Sequence, residues 1–247
     1  MLNGFWKLTW VEIKIFLREP MGAFASLGIP VIVFLLLGRV FRATNATSAA
    51  SPADLAERPV IFAAVFIAFT TVTSLTAIIT IYREGGILKR LRATPLRPVT
   101  ILGAHVMVKL LLSFAALMLL FLAGKRYYGT LEVNLLSFAG ALLLSTLSIV
   151  SIGFIIASVV RTARFARPLA SALLFPMLAI SDLFMPIEAL HAPWGTVAIA
   201  LPTTHAVSLL QGAWNGVPWS QHYVEVTALI LNFALCSAIA SKFFRWE

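Results

Sequence analysis

A single cysteine, Cys236, stands among 247 residues, which excludes an internal disulfide and a multi-cysteine metal site. It lies in an apolar run and reads as an inert thiol. Acids are scarce too. Ten Asp and Glu face nineteen Lys and Arg, for a net charge of +9. A proton-driven carrier needs several buried acids and a channel needs a polar filter ring, and neither pattern is visible. Only 12% of the residues are charged and 60% are hydrophobic, against about a quarter and a half in soluble domains. The four histidines, His105, His191, His205 and His222, show no ligand spacing, so no metal site is expected. The chain contains no G-x-x-x-x-G-K-[ST], no H-E-x-x-H and no G-x-S-x-G. A Walker-type phosphate cradle, a zinc-protease helix and a serine-hydrolase elbow are therefore not expected. No cleavable signal pattern and no internal repeat is read.

What is present is a set of long apolar runs. Six are long enough, or nearly so, to cross a bilayer, which takes about 20 residues. They cover roughly 23–41, 60–82, 101–123, 135–160, 169–185 and 224–244. They are continuous rather than alternating, which favours helices over strands. The predicted fold is a single all-α polytopic membrane domain spanning the whole chain. Between the fifth and sixth runs, residues 186–221 are apolar but divided by Pro186, Pro193, Pro202 and Pro218. The pieces are half the length of a span, so a re-entrant helical hairpin is expected there.

Charge sets the orientation. With the N-terminus inside, thirteen Lys and Arg fall on the inner side and five on the outer, with Lys109 inside the third run. The positive-inside rule then puts both termini in the cytoplasm. The same asymmetry explains the high pI without any nucleic-acid partner.

The first nineteen residues form an element of their own. Lys7, Lys14 and Arg18 share one narrow helical stripe, with Trp6, Trp10, Ile13 and Phe16 among the residues covering the rest. This predicts an interfacial helix on the cytoplasmic leaflet, its cations toward lipid phosphates, either as an anchor or with a regulatory role. His105 and Lys109 lie four apart on the third span and so share a face. Lys109 either snorkels to the headgroups or serves a pathway. Asp182 and Glu188, at the outer end of the fifth span, line either a wet vestibule or a substrate gate. These four are the candidate pathway or gate residues. Small residues recur on the first and fifth spans (Gly22, Ala25 and Gly28; Ala170, Ala172 and Ala179) and suggest a dimer interface.

One short stretch carries a disproportionate share of charge. "YREGGILKRLRATPLRP", residues 82–98, follows the second span. On a helical wheel Ile87, Leu88 and Leu91 share a sector, and Glu84 falls in it one turn earlier. Gly85 and Gly86 permit a sharp exit from the span, and Thr94-Pro95 ends the helix. A short cytoplasmic amphipathic helix is predicted over 83–95. It rests either on headgroups or on another protein, and the misplaced acid and the glycines favour protein.

This segment resembles the signature of the ABC-2 type permeases, the membrane subunits of one class of ATP-binding-cassette exporters. That family shows an acid, a glycine, a Leu-basic pair and Leu-x-x-Thr-Pro after its second span. Glu84, Gly86, Leu88, Lys89, Leu91, Thr94 and Pro95 match, while Ile87 stands where a Thr is common. "FLREP" before a proline-containing first span and "LPTTHAVSLLQGAWNG" after the fifth are similar to the family's segments.

The resemblance implies a permease half of a dimeric exporter, homo- or heteromeric, in a prokaryotic plasma membrane. It would move an amphiphile outward: a drug, a lipid or a glycolipid, with the drug-exporter branch the nearer likeness. A separate ABC ATPase, in two copies, would bind the ATP and Mg and dock on 83–95. Its contacts would be Glu84, Gly85, Gly86, Leu88, Lys89, Leu91, Thr94 and Pro95. The chain itself would hold no cofactor and catalyse nothing. The competing reading is an ion-coupled secondary transporter or channel.

Overall fold

The computed structural model describes residues 2–18, 20–44, 52–86, 98–128, 133–160, 162–181 and 193–243. Every regular element among them is helical. In chain order these are α1 (Leu2–Arg18), α2 (Pro20–Ala23), a π turn (Phe24–Gly28), α3 (Ile29–Thr44), α4 (Pro52–Glu84) and α5 (Pro98–Tyr128). There follow α6 (Leu135–Val159), α7 (Ala163–Ala179), α8 (Trp194–Ala200), α9 (Pro202–Trp214), a 3-10 turn (Trp219–Gln221) and α10 (Tyr223–Phe243).

Four of these are long and apolar enough to cross a membrane: α4, α5, α6 and α10. They form a multi-pass helical membrane protein with a graded interior. In the apolar windows of α4 and α6, 67% and 61% of residues are buried, against 28% in α5 and 11% in α10. The central pair is therefore α4 and α6. Gly153 of α6 allows their close approach. A Cβ there would lie 2.7 Å from the Thr76 hydroxyl and 2.9 Å from a Val72 methyl. Small residues serve this purpose wherever membrane helices must pack backbone to backbone. Buried Thr71, Thr76 and Thr80 do not leave hydroxyls unpaired, because each bonds a carbonyl four residues back on α4. Asn232 of α10 donates to the carbonyl and hydroxyl of Ser148, fastening the outermost span to α6.

The first span is helical throughout Pro20–Thr44 but not uniformly α. Pro30 has no N–H and its ring clashes with the carbonyl four residues earlier. The π turn immediately before it, Phe24–Gly28, widens the ladder where that clash falls. Gly28 is covered by Phe24 of its own helix, whose ring stands 2.9 Å from where a Cβ would be. Within the chain, then, Gly28 makes room for a local packing contact.

The fifth span differs from expectation. Its helix begins at Ala163 rather than 169, and the described part ends at Ala179. Arg164 and Arg167 lie outside the predicted apolar run 169–185 because of their charge, yet cations near the start of a helix can reach water. The small-residue face also splits. Ala170 is fully buried inside the chain, while Ala172 and Ala179 are exposed beside the large apolar Phe165, Leu169 and Phe175.

The segment after the fifth span forms two short helices, as its prolines indicate. Thr203, at the start of α9, lines a small gap with Val65 and Ile149 and donates to the terminal carbonyl of Met177. Trp214, at its end, packs on Phe121 and Phe138 at centroid distances of 6.1 and 5.9 Å. Eleven residues along α9 thus correspond to eleven residues back along α6, about 16 Å at helical rise. So α9 runs antiparallel to the first half of α6. It closes at Gly216, whose φ of +71° lets Val217 N–H reach Gly212 O at 2.9 Å. Gly212 leaves the space that the His222 ring occupies.

Candidate functional site

The α1 helix is not only a headgroup float. Phe5, Thr9, Glu12 and Phe16 turn toward the protein, and Phe5 lies 3.5 Å from the Cβ position of Gly103 on α5. Glu12 accepts a 3.3 Å hydrogen bond from the Tyr82 hydroxyl of α4. The same carboxylate oxygen is 3.5 Å from His105 Nε2 of α5. Tyr82 and His105 meet edge to face at 5.0 Å. Lys109, one turn beyond His105, carries its ammonium 5.7 Å from the Phe16 ring centroid. One acid on α1 therefore gathers α4 and α5.

Arg83, the next residue along α4, faces the other way. Its guanidinium donates to the carbonyls of Ala157, Ser158 and Val160 at 3.1, 2.9 and 3.4 Å. These are last-turn carbonyls of α6, which have no partner within their own helix. A cation there also opposes the negative end of the helix dipole. Helix α4 then ends at Glu84. Gly85 N–H bonds Ile81 O and Gly86 N–H bonds Arg83 O, and Gly86 adopts φ +66°. Only glycine takes that conformation without strain.

The predicted contact segment is thus described at its root. Glu84 and Gly85 are exposed, and among the described residues no atom lies within 4 Å of a Cβ built on Gly86. Leu88, Lys89, Leu91, Thr94 and Pro95 lie outside the described residues, as do Asp182 and Glu188. The wheel that put Glu84 on one helical face with Leu88 and Leu91 is broken by the turn at Gly86. The side-chain direction of Glu84 therefore does not follow from the helical period of the residues after it. His105 and Lys109 are brought together with Glu12 and Tyr82 in one cleft.

A second opening lies in the other half of α4. Phe62, Val65, Phe66 and Phe69 face Phe175 and Pro176 of α7 across a cavity of about 480 Å³. Phe69 and Phe175 stand 4.7 Å apart at 46°. Pro176, lacking an N–H, breaks the α7 ladder beside it. The wall is almost wholly apolar and suits an apolar or aromatic guest.

A comparison with protein families matches residues 3–214 to the ABC-2 type transporter model. The chain belongs to that family. The match runs from α1 to the end of α9 and leaves α10 beyond it. No curated protein matches the chain. As an ABC-2 protein it is the permease subunit of an ABC transporter, and the family works with an ABC ATPase partner. Its members are permease subunits and generally not catalysts themselves. Two residues at the heart of the permease's junction of α1, α4, α5 and α6 escaped the sequence reading. Arg83 was only one of thirteen inner cations, and Glu12 was passed over on a helix read for its cations. A carboxylate at position 12 of a basic, lipid-facing helix was itself the signal, since lipid phosphates give it no partner.

Proposed function

We propose that the permease is the membrane half of an ATP-driven exporter that moves an amphiphile outward, with six spans and both termini in the cytoplasm. In this reading the π-interrupted stretch Pro20–Thr44 and α7 are the two spans beyond the four long ones. Helices α8 and α9 are the arms of a re-entrant hairpin from the outer side. An ABC ATPase, two copies per complex, binds the ATP and Mg and docks on residues 83–95. A second permease chain, identical or related, completes the pore, and the setting is a prokaryotic plasma membrane.

The observation that carries this reading is the Arg83 clamp. It ties the root of the docking segment, Glu84-Gly85-Gly86, to the C-terminal carbonyls of α6. A push on the turn would move α4 and α6 together, and these two helices form the centre of the molecule. The aromatic cavity between α4 and α7 borders that pair, so its walls would separate or close with it. The experiment is co-purification of the cognate ATPase followed by reconstitution into vesicles. Amphiphile-stimulated ATP hydrolysis and ATP-dependent uptake into inside-out vesicles are expected. Transport driven by an ion gradient with no ATPase present would overturn the proposal.

A further inference from the structure

The inner cleft has features that the docking role leaves unused. It is a cavity of about 400 Å³ between α1, α4, α5 and α7. Lys109 and Arg167 lie on its wall with a single acid, Glu12, so its lining carries net positive charge. His105 is 3% exposed, and its Nε2 makes no hydrogen bond, with the Glu12 carboxylate 3.5 Å away. Burying such a group without a hydrogen bond is unfavourable by about 1–3 kcal/mol. A well-placed acceptor oxygen in the cleft would relieve it.

Apart from the hydroxyls of Ser74 and Tyr82 the rest of the lining is apolar, and the rim shows which kind of ligand fits. Ile15 and Ile81 are each nearly half exposed, at 48% and 47%, on the outside of the helices that frame the opening. A free inorganic anion gains nothing from such a rim. An amphiphile gains twice, with its headgroup on the cations and its chains along the isoleucines. The amphipathic α1 forms one wall, which sets the cleft at headgroup depth.

We propose that this cleft holds the phosphate headgroup of a bilayer phospholipid. Lys109 and Arg167 neutralise the phosphate, and the arginine fork offers paired donors to its oxygens. His105 donates from Nε2 when that nitrogen carries the proton. Glu12 is held off the phosphate by the Tyr82 hydroxyl and repels a second acidic group, such as a carboxylate headgroup. The bound lipid would then pin α1 against α4 and α5.

The test is native mass spectrometry of the detergent-purified permease titrated with phosphatidylglycerol, with diacylglycerol as the phosphate-free comparator. Phosphatidylglycerol should bind about tenfold tighter, the ratio that 1.4 kcal/mol of headgroup recognition gives. Lys109→Gln and Arg167→Gln should each remove most of that preference, and Lys7→Gln, on the outer face of α1, should leave it unchanged. Arg167 is on the surface, so its variant tests the site even if Lys109→Gln fails to fold. Equal binding of diacylglycerol, or full preference retained in Arg167→Gln, would overturn the proposal. So would displacement of the lipid by millimolar inorganic phosphate, which would make the cleft a site for the free ion.

Discussion

The two ends of α4 are held in opposite ways. Its C-terminal end is fixed by directional bonds: Tyr82 to Glu12, and Arg83 to three carbonyls of α6. Toward its N-terminal half, Phe66 and Phe69 pack with Phe175 and Pro176 of α7 around the aromatic cavity. Directional bonds fix one geometry and transmit displacement. Apolar contacts in a bilayer tolerate sliding, because lipid chains replace them at small penalty. A single helix is thus a rigid lever at one end and an adaptable wall at the other. Between the two lies Gly153, where α4 and α6 touch backbone to backbone.

Breaking the contact between lever and wall should have the largest effect. Gly153→Leu forces a side chain into Thr76 and Val72 and should destabilise the permease by about 1–3 kcal/mol, the usual range for overpacking. A lowered melting temperature in detergent checks it, and an unchanged one would mean the helices part freely. Next comes the lever. Arg83→Ala uncaps α6 and should reduce stability by ~1–2 kcal/mol. Coupled ATP hydrolysis should fall while the ATPase still co-purifies. The wall should respond differently. Phe69→Ala should weaken binding of aromatic amphiphiles, by fluorescence titration, with a stability loss of about 1–2 kcal/mol for a ring only partly buried. Coupled hydrolysis without substrate should persist. The smallest effect belongs to Glu12→Gln, which keeps an acceptor for Tyr82 and loses only the charge beside His105. A change below about 1 kcal/mol is expected.

The sequence made the helices legible because apolar length is a direct consequence of bilayer thickness. The boundaries of α6 and the start of α10 were legible to within a residue. The start of α7 was not, because the charge of Arg164 and Arg167 kept them outside the apolar run. The turn after α4 was legible from Gly85-Gly86, and the φ of +66° at Gly86 gives its physical reason. The amphipathic wheel drawn through that turn was not sound, since a wheel presumes one unbroken helix. Long-range bonds were the least legible. Nothing local in the sequence ties Glu12 to Tyr82, seventy residues on, or Arg83 to the end of α6. The aromatic cavity was hidden for the same reason. Phe62, Phe66 and Phe69 read as ordinary span residues, and only the fold sets Phe175 opposite them.

The central claim is that the turn at Glu84–Gly86 is where the ATPase engages the lever. The most direct measurement compares ATPase pull-down and coupled hydrolysis for Glu84→Ala, Gly86→Leu and Gly86→Asn in reconstituted vesicles. Asparagine tolerates a positive φ far better than leucine, which is strained there by about 1–2 kcal/mol. Among the described residues no atom lies within 4 Å of a Cβ at Gly86, so those residues leave room for Asn. The account predicts that all three variants insert and express, and that all three lose ATPase binding and coupled hydrolysis together. Full binding and hydrolysis in Glu84→Ala and Gly86→Asn would contradict it, and would reduce the turn to a helix stop.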